Sequence, residues 1–275
     1  MKLSRLDLDG VGSPADIAAR IHGLEPGLPP KFAIEELCRK LDIDKITLIP
    51  TQAFEAALLM HPNKAFGSIV LATGRSDERR RFSIGHELGH FLIPTHLPRS
   101  GEPFECTLAD LHLTDTREKD RRRRIEAEAN RFAAALLMPP RSVRTMMTSR
   151  RPDLAEVLRL AREFGVSKEA MARSYIDAQH EAIAVIVLQH GLLSRVYRHS
   201  DMPWIERSLG EEAPTDSIAY GHLLKPGELS DIEECDPDLW FNDRNAARIE
   251  QVTEQCLGQA NGYTMLLLHA DLIED

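Results

Sequence analysis

Hydrophobic and polar positions along the chain form short blocks of two kinds, which predict a mixture of helices and strands. Some blocks repeat apolar residues every three or four positions, as a helix with one buried face requires. Others are nearly continuous apolar runs, which favour strands. In the first third of the chain the predicted helices cover 14–24 and 31–41, and the predicted strands cover 45–50, 54–60 and 66–72.

Two long helices with clear end signals follow. Ser76 is a suitable N-cap for the first helix, and Pro94 must end or kink it. The second helix covers 119–138 and stops at a pair of prolines. Residues 154–178 then predict two shorter helices joined at Gly165, a pattern that fits a helix-turn-helix.

The last third of the chain changes to strand patterns. Strands are predicted over 183–189 and 192–198, followed by a helix over 244–257 and a final strand over 263–269. Together with the earlier blocks, this mixture predicts an α+β protein.

Charge is unevenly distributed along the chain. The net charge is −9, but residues 180–275 hold 6 Lys and Arg against 18 Asp and Glu, which leaves a mildly basic region before them. An acidic region is a poor surface for nucleic acid. We therefore expect three parts: a domain over 1–150, a helical segment over 151–179 and an acidic domain over 180–275.

The sequence also indicates a compartment. It contains no apolar segment long enough to cross a membrane, and its first residues lack the apolar core of a secretory signal. The scattered cysteines form no CxxC pair, which argues against a disulfide framework and against a cysteine-rich zinc site; they are Cys38, Cys106, Cys235 and Cys256. We expect a reduced, cytoplasmic protein.

The stretch FSIGHELGHFLIP, Phe82 to Pro94, carries the strongest chemical signal. Four residues advance a helix by slightly more than one turn, so His86 and His90 project from the same face. Two imidazoles at this spacing can hold one zinc ion, and Glu87 can take a proton from its water. Gly89 indicates that another backbone packs closely against this helix. The alternative is a pair of hydrogen-bonded core histidines.

A third zinc ligand is expected on the second long helix. Glu126 and Asn130 lie one turn apart on the same helical face. We predict that Glu126 is the carboxylate ligand and that Asn130 fixes the tautomer of a ligand imidazole by a hydrogen bond. Glu128 points in another direction and is predicted to be a solvated partner of the arginines at the start of the helix.

His96 competes with Glu126 for the role of third ligand. It lies six residues after His90, which is the spacing of the HExxHxxGxxH metal motif. That motif turns at a glycine, whereas this chain has Ile93 followed by Pro94. The sequence therefore favours Glu126.

The segments HELGH and EAEANRFAAALLMP resemble the ImmA/IrrE family of zinc metallopeptidases, most strongly over Ser76–Pro140. The resemblance implies a zincin-like domain that joins HExxH to a glutamate of a later helix, as thermolysin-type enzymes do. It implies that His86, His90 and Glu126 bind zinc and that Glu87 is the catalytic base. IrrE-like members add a helix-turn-helix segment and a GAF-like carboxy-terminal sensor or interaction domain, which correspond to the last two parts.

The resemblance also implies a function. Such enzymes are site-specific endopeptidases that cleave a helix-turn-helix repressor and so derepress stress-response or mobile-element genes. Zinc would activate a water, and Glu87 would remove its proton and return it to the leaving amine; Mn²⁺ or Fe²⁺ could fill the same ligand set. The alternative is a non-catalytic, metal-containing regulator that binds DNA or a partner protein. Glu87 favours the enzyme, because a structural zinc needs no base.

Three features leave alternatives open. Cys106 could place a thiolate at the open position of the zinc and hold the enzyme inactive, or it could be an ordinary half-buried cysteine. Lys168 and Arg173 could contact DNA, although the helix pair could equally contact a partner or bridge two domains, and DNA binding is not expected to be primary. The strand over 66–72 could be a sheet edge that binds an extended substrate, or an ordinary hairpin strand.

Overall fold

The structure is a computed structural model that describes residues 2–97, 104–112, 120–149, 151–221 and 224–273. Its contacts divide the chain into two compact units, which are residues 1–142 with 161–167, and residues 143–160 with 168–275. Most of the helical segment 151–179 thus belongs to the second unit, and a short part of it belongs to the first.

Helices and strands occur in both units. In the described residues the helices are α1 (Pro14–Leu24), α2 (Ile34–Lys40), α3 (Asp77–Leu92), α4 (Arg121–Leu137), α5 (Pro140–Met146), α6 (Leu154–Phe164), α7 (Lys168–Ala178) and α8 (Asp243–Ala246). The strands are β1 (Ile43–Ile49), β2 (Ala56–Met60), β3 (Gly67–Ala72), β4 (Phe104–Cys106), β5 (Ala182–Gln189), β6 (Leu192–Arg198), β7 (Glu233–Cys235), β8 (Ile249–Gly258) and β9 (Tyr263–Leu272). The predicted α+β class is confirmed.

The sheet of the first unit has the strand order β1-β3-β2-β4. β3 pairs parallel with β1 and antiparallel with β2, and β4 pairs antiparallel with β2. Of the two alternatives for residues 66–72, a sheet edge that binds substrate is therefore wrong, because β3 is hydrogen-bonded on both sides; β3 and β2 form the ordinary antiparallel pair of the other alternative. β4, a short strand that the sequence does not predict, is one edge of this sheet.

Helix α3 is fixed at both ends. The Ser76 hydroxyl accepts a hydrogen bond from the Arg79 backbone N–H, as an N-cap does. At the other end the Lys64 ammonium donates hydrogen bonds to the carbonyl oxygens of His90 and Ile93, at 2.9 and 2.6 Å. His90 lies in the last turn of the helix and Ile93 is its C-cap, so the ammonium lies at the negative end of the helix dipole, where a cation is stabilising.

Helices α3 and α4 pack unusually closely, because two glycines of α3 face α4. A Cβ atom on Gly89 would lie 2.9 Å from Phe132 Cδ1 and 3.3 Å from the Cα atom of Ala129. A Cβ atom on Gly85 would lie 3.3 Å from the Cβ atom of Ala133. The close packing predicted from Gly89 is thus present, and it brings side chains of the two helices within reach of each other.

The second unit contains a five-stranded antiparallel sheet with the order β6-β5-β9-β8-β7. His190 and Gly191 connect β5 and β6 at the predicted turn, with φ angles of 52° and 81°; positive φ at both positions is the geometry of a tight hairpin turn. The prediction that this unit is GAF-like stays a prediction.

The predicted helix over 244–257 is wrong. Only α8 is helical there, and residues 249–258 form strand β8. Ile249, Val252 and Cys256 recur every three or four positions, which imitates a helix, yet Gln255 and Leu257 on the opposite strand face are buried too. A strand covered on both faces loses the alternation by which strands are recognised.

None of the helices in the described residues is both long enough and apolar enough to span a bilayer.

Candidate metal centre

Four side chains with metal-binding atoms converge inside the first unit. His86 and His90 come from one face of α3, Glu126 comes from α4, and Cys106 ends β4. The two histidines and Cys106 are 0% exposed and Glu126 is 3% exposed. The structure thus brings together the predicted ligands His86, His90 and Glu126, and it adds Cys106 to them.

The three predicted ligands are mutually in contact. The Nε2 atoms of His86 and His90 lie 3.0 Å apart. One carboxylate oxygen of Glu126, Oε2, lies 3.1 Å from His86 Nε2 and 3.3 Å from His90 Nε2. Burial opposes a charged carboxylate, but the contacts with the two rings outweigh it and lower the pKa of Glu126. Glu126 is therefore an anionic donor at neutral pH.

Asn130 determines which nitrogen of His86 faces the centre. The Asn130 amide nitrogen donates to the carbonyl oxygen of Asp110 at 2.8 Å, so its Oδ1 atom is the one that faces His86 Nδ1, also at 2.8 Å. This oxygen can only accept, so His86 Nδ1 carries the proton. When the ring is neutral, its Nε2 lone pair therefore faces the centre. Asn130 occupies the place predicted for it.

His90 is oriented by a second chain of contacts that the sequence did not predict. His90 Nδ1 lies 3.1 Å from His96 Nδ1, and His96 Nε2 lies 2.9 Å from Glu128 Oε2. Burial lowers the pKa of His96 to about 2, so its ring is neutral. Glu128 accepts a hydrogen bond from His96 Nε2–H, so His96 Nδ1 carries no proton and accepts a hydrogen bond from His90 Nδ1–H. His90 Nε2 therefore carries a lone pair.

Glu128 is not simply a solvated partner of the arginines: it is half-buried and contacts His96, while Arg124 Nε lies 4.0 Å from its other oxygen. The reason is that α4 places Glu128 beside the chain that follows α3, which helical periodicity alone does not reveal. His96 does not join the four converging side chains; it lies behind His90.

The arrangement fits a bound cation. Both imidazoles direct lone pairs at a carboxylate oxygen and at each other over 3.0 to 3.3 Å, and such contacts are repulsive without a positive charge between them. In the metal-free protein the neighbouring carboxylates outweigh burial and raise the pKa of His86, so a proton can fill this gap. A divalent ion that displaces the proton satisfies all three atoms at once.

Glu87 lies beside this centre. Its side chain is 0% exposed, and neither carboxylate oxygen has a hydrogen-bond partner of good geometry among the described residues. Burial raises the pKa of Glu87 to about 7, with His86 and Cys106 opposing the shift. A carboxyl group with a pKa near neutrality can both take up and release a proton at working pH.

Cys106 is fully buried rather than half-buried. Its Sγ atom lies 3.2 Å from His86 Nε2, 3.7 Å from His90 Nε2 and 3.6 Å from Glu126 Oε2. Burial raises the pKa of the Cys106 thiol, and the carboxylates of Glu87 and Glu126 add to the effect, so the metal-free protein holds a neutral thiol here. The sequence indicates that Cys106 lies between the two ligand helices, but the distances from its Sγ atom to the other donor atoms could not be predicted.

Lys168 and Arg173, the predicted DNA contacts, lie on α7 in the second unit. Both are half-buried. The guanidinium of Arg173 lies 5.1 Å from the centre of the Tyr197 ring on β6, and Glu169 accepts a hydrogen bond from the Tyr197 hydroxyl and pairs with Arg195. A recognition helix presents exposed side chains to a groove, whereas this face of α7 contacts its own sheet.

Comparisons with known proteins match the part of the chain that contains these side chains. The family Peptidase_M78, described as an IrrE N-terminal-like domain, matches residues 45–174, a range that contains the four converging side chains and Glu87. Among solved structures, a Mycobacterium tuberculosis transcriptional regulator is similar in fold, with a TM-score of 0.56 and 15% identity over 94% of this chain and 76% of that chain. No curated protein matches the sequence significantly. The matched domain has the zincin-like fold.

Proposed function

We propose that the protein is a zinc-dependent, site-specific endopeptidase, because residues 45–174 match the IrrE N-terminal-like domain of the Peptidase_M78 family. One observation carries the proposal: a buried glutamate, Glu87, directly follows the ligand His86 and has a raised pKa and no hydrogen-bond partner of good geometry among the described residues. Burying such a group costs free energy without stabilising the fold, so a role in proton transfer explains it.

The residues of this site have separate tasks in peptide hydrolysis. His86, His90 and Glu126 would hold the ion, which when bound supplies a Lewis acid that activates water and polarises a carbonyl group. Glu87 takes the proton of the attacking water and delivers it to the leaving amine. Its pKa of about 7 suits both transfers. Asn130 and His96 keep the ligand rings in the tautomer that binds a metal.

Zinc is the metal that the donor set favours. Two imidazoles, a carboxylate and a nearby sulfur form a mixture that suits zinc better than Mn²⁺, since manganese prefers oxygen donors. Fe²⁺ tolerates two histidines and a carboxylate, so metal analysis of the protein purified from its native cells is the check on this assignment.

The substrate would bind as an extended strand at β4. This strand is an edge of the sheet and pairs on one side with β2. Because Cys106 ends β4 and lies beside the ligand atoms, a peptide that pairs with this edge would pass close to the metal. The helix-turn-helix repressor inferred from the family resemblance is the proposed substrate, and the similarity in fold to a transcriptional regulator is consistent with a role in gene control.

A second candidate function is a non-catalytic regulator with a structural metal. The proximity of Cys106 favours it, because structural zinc sites are typically closed by four protein ligands. The buried Glu87 favours the enzyme, since a structural site has no use for a buried base.

The two functions are separated by one substitution. Purified protein is incubated with candidate helix-turn-helix repressors, and fragments are identified by mass spectrometry, with chelator added and then zinc restored. Glu87→Gln should keep a full equivalent of zinc and lose cleavage, while Glu78→Gln, in the first turn of the same helix, should retain both. Cleavage by the metal-loaded Glu87→Gln protein at the wild-type rate would exclude Glu87 as the base. Repressor binding without cleavage would select the regulator.

A further inference from the structure

We propose that Cys106 is the fourth ligand of the metal and that it keeps the peptidase site closed until its thiolate is displaced. The inference rests on the proposed peptidase function and specifies how that site is regulated. It is carried by the positions of the four converging side chains and by the way in which β4 holds Cys106.

The distances among the four donor atoms are those of a tetrahedral zinc site. Zinc lies about 2.0–2.1 Å from nitrogen and oxygen and about 2.3 Å from sulfur, so donor atoms in a tetrahedron are about 3.3 Å apart for nitrogen and oxygen pairs and about 3.6 Å for pairs that include sulfur. The three pairs without sulfur are 3.0, 3.1 and 3.3 Å. The three pairs with Cys106 are 3.2, 3.7 and 3.6 Å.

All six distances between donor atoms therefore fit a tetrahedral site. The distances that involve sulfur, the larger atom, are longer on average than those between nitrogen and oxygen atoms. A thiol that merely packs against two histidines has no reason to lie 3.6 Å from Glu126 Oε2 as well. Cys106 completes the coordination sphere that the three predicted ligands leave open.

The backbone holds Cys106 in this position. Cys106 pairs with Ala56 in the register of β2 and β4, and its carbonyl oxygen accepts a hydrogen bond from the Glu55 N–H at 2.9 Å. Strand pairing thus holds the backbone of Cys106 at a position from which its Sγ atom reaches the other three donor atoms. Cys106 also adjoins Glu87, so the sulfur occupies the space beside the base that an attacking water needs.

Opening the site requires only ligand exchange. With a metal held by these residues, release of Cys106 would break the metal–sulfur bond, the sulfur would take up a proton from solvent, and the fourth position would be open to water; no oxidant or reductant would be consumed. Because β4 is short and is an edge strand held by β2, few backbone hydrogen bonds need to break for the sulfur to withdraw. A partner that pairs with β4, or a reagent that binds thiols, would drive the exchange.

Cobalt substitution tests the ligation without relying on activity. Co²⁺ bound to a thiolate gives a charge-transfer absorption in the near ultraviolet that nitrogen and oxygen ligands do not give. We expect this band in the Co²⁺-loaded wild-type protein and not in Cys106→Ala. Cys235→Ala is the matched control, because Cys235 also lies near a carboxylate, that of Glu254, and this variant should keep the band.

Cleavage then tests the closed state. With one metal equivalent bound, Cys106→Ala should cleave the repressor at least about tenfold faster than the wild type, because the competent fraction is no longer limited by the sulfur. A wild-type protein without the band, cleaving as fast as Cys106→Ala, would overturn this inference and leave the peptidase proposal intact. If the wild type shows the band and neither protein cleaves the repressor, the peptidase proposal is overturned, and so is the proposed closed state. Cys106 would then be a structural ligand.

Discussion

The Nδ1 atom of His86 lies 2.8 Å from Oδ1 of Asn130, and this contact fixes the tautomer of the His86 ring. Asn130→Ala removes the acceptor and should weaken zinc binding by roughly 10–100-fold, the usual effect of losing a partner of a ligand histidine. Asn130→Asp keeps an acceptor and should retain most of the affinity. Competition with a chromophoric chelator measures both. Equal affinities of the wild type and Asn130→Ala would show that the ring needs no such support.

The contact between Glu128 and His96 gives a second prediction. Glu128→Ala leaves the His96 Nε2–H without its acceptor, which loosens the tautomer of His96 and, through it, that of His90. The loss of zinc affinity should be up to about tenfold, smaller than that of Asn130→Ala because the effect passes through an additional ring. Glu36→Ala, at an exposed position of α2, serves as the control. A Glu128→Ala protein that binds zinc like this control would refute the chain of contacts.

Removal of the metal should lower the melting temperature. A ligand that binds only the folded state stabilises it by about 2.7 kcal/mol when its free concentration is 100 times its dissociation constant. Thermal denaturation with and without chelator measures the effect. His86→Ala, which lacks a ligand, should melt at the same temperature in both conditions. A wild-type protein equally insensitive to chelator would mean that its folded state holds no metal.

The packing of α3 against α4 predicts the effect of a single methyl group. Gly89→Ala gains about 1 kcal/mol of helix propensity, but its Cβ atom meets Phe132 at 2.9 Å and backbone atoms of Ala129 at 3.3 and 3.4 Å. Overpacking should dominate and lower the free energy of unfolding by about 1–3 kcal/mol. Gly23→Ala on α1, where no atom lies within 4 Å, should be neutral or slightly stabilising. Urea denaturation compares the two, and a stabilised Gly89→Ala would contradict the close approach.

The last prediction concerns Arg173. Because its guanidinium lies over the Tyr197 ring, Arg173→Ala should lower the free energy of unfolding by about 0.5–1 kcal/mol. It should leave any binding to DNA fragments unchanged. A loss of DNA affinity at unchanged stability, seen by fluorescence anisotropy, would instead restore the DNA-contact hypothesis for this residue.

The helical parts of the fold could be predicted because their signals are local. Ser76 and Pro94 delimit α3, and the spacing of His86 and His90 places both rings on one face whatever surrounds them. The position of Glu126 relative to Asn130 follows from the same periodicity. These are statements about one turn of helix, and tertiary packing does not alter them.

The parts that could not be predicted depend on contacts between distant residues. Glu254 reads as a polar surface residue, yet it is buried on β8 and accepts hydrogen bonds from the Ser217 hydroxyl and the Trp240 indole. The sequence does not show that a buried carboxylate finds such partners. With Glu254 taken as exposed, the segment resembles an amphipathic helix. The position of Cys106 could not be predicted for the same reason. It depends on the pairing of β4 with β2, and a strand this short in a polar region has no clear sequence pattern.

The glycines at 85 and 89 leave the helix pair little tolerance for a larger residue. A Cβ atom at either position would lie within 3.3 Å of an atom of α4, so a bulky side chain there must push the two helices apart. His86 and His90 on α3 would then move away from Glu126 on α4, and a single ion could no longer be reached from both helices.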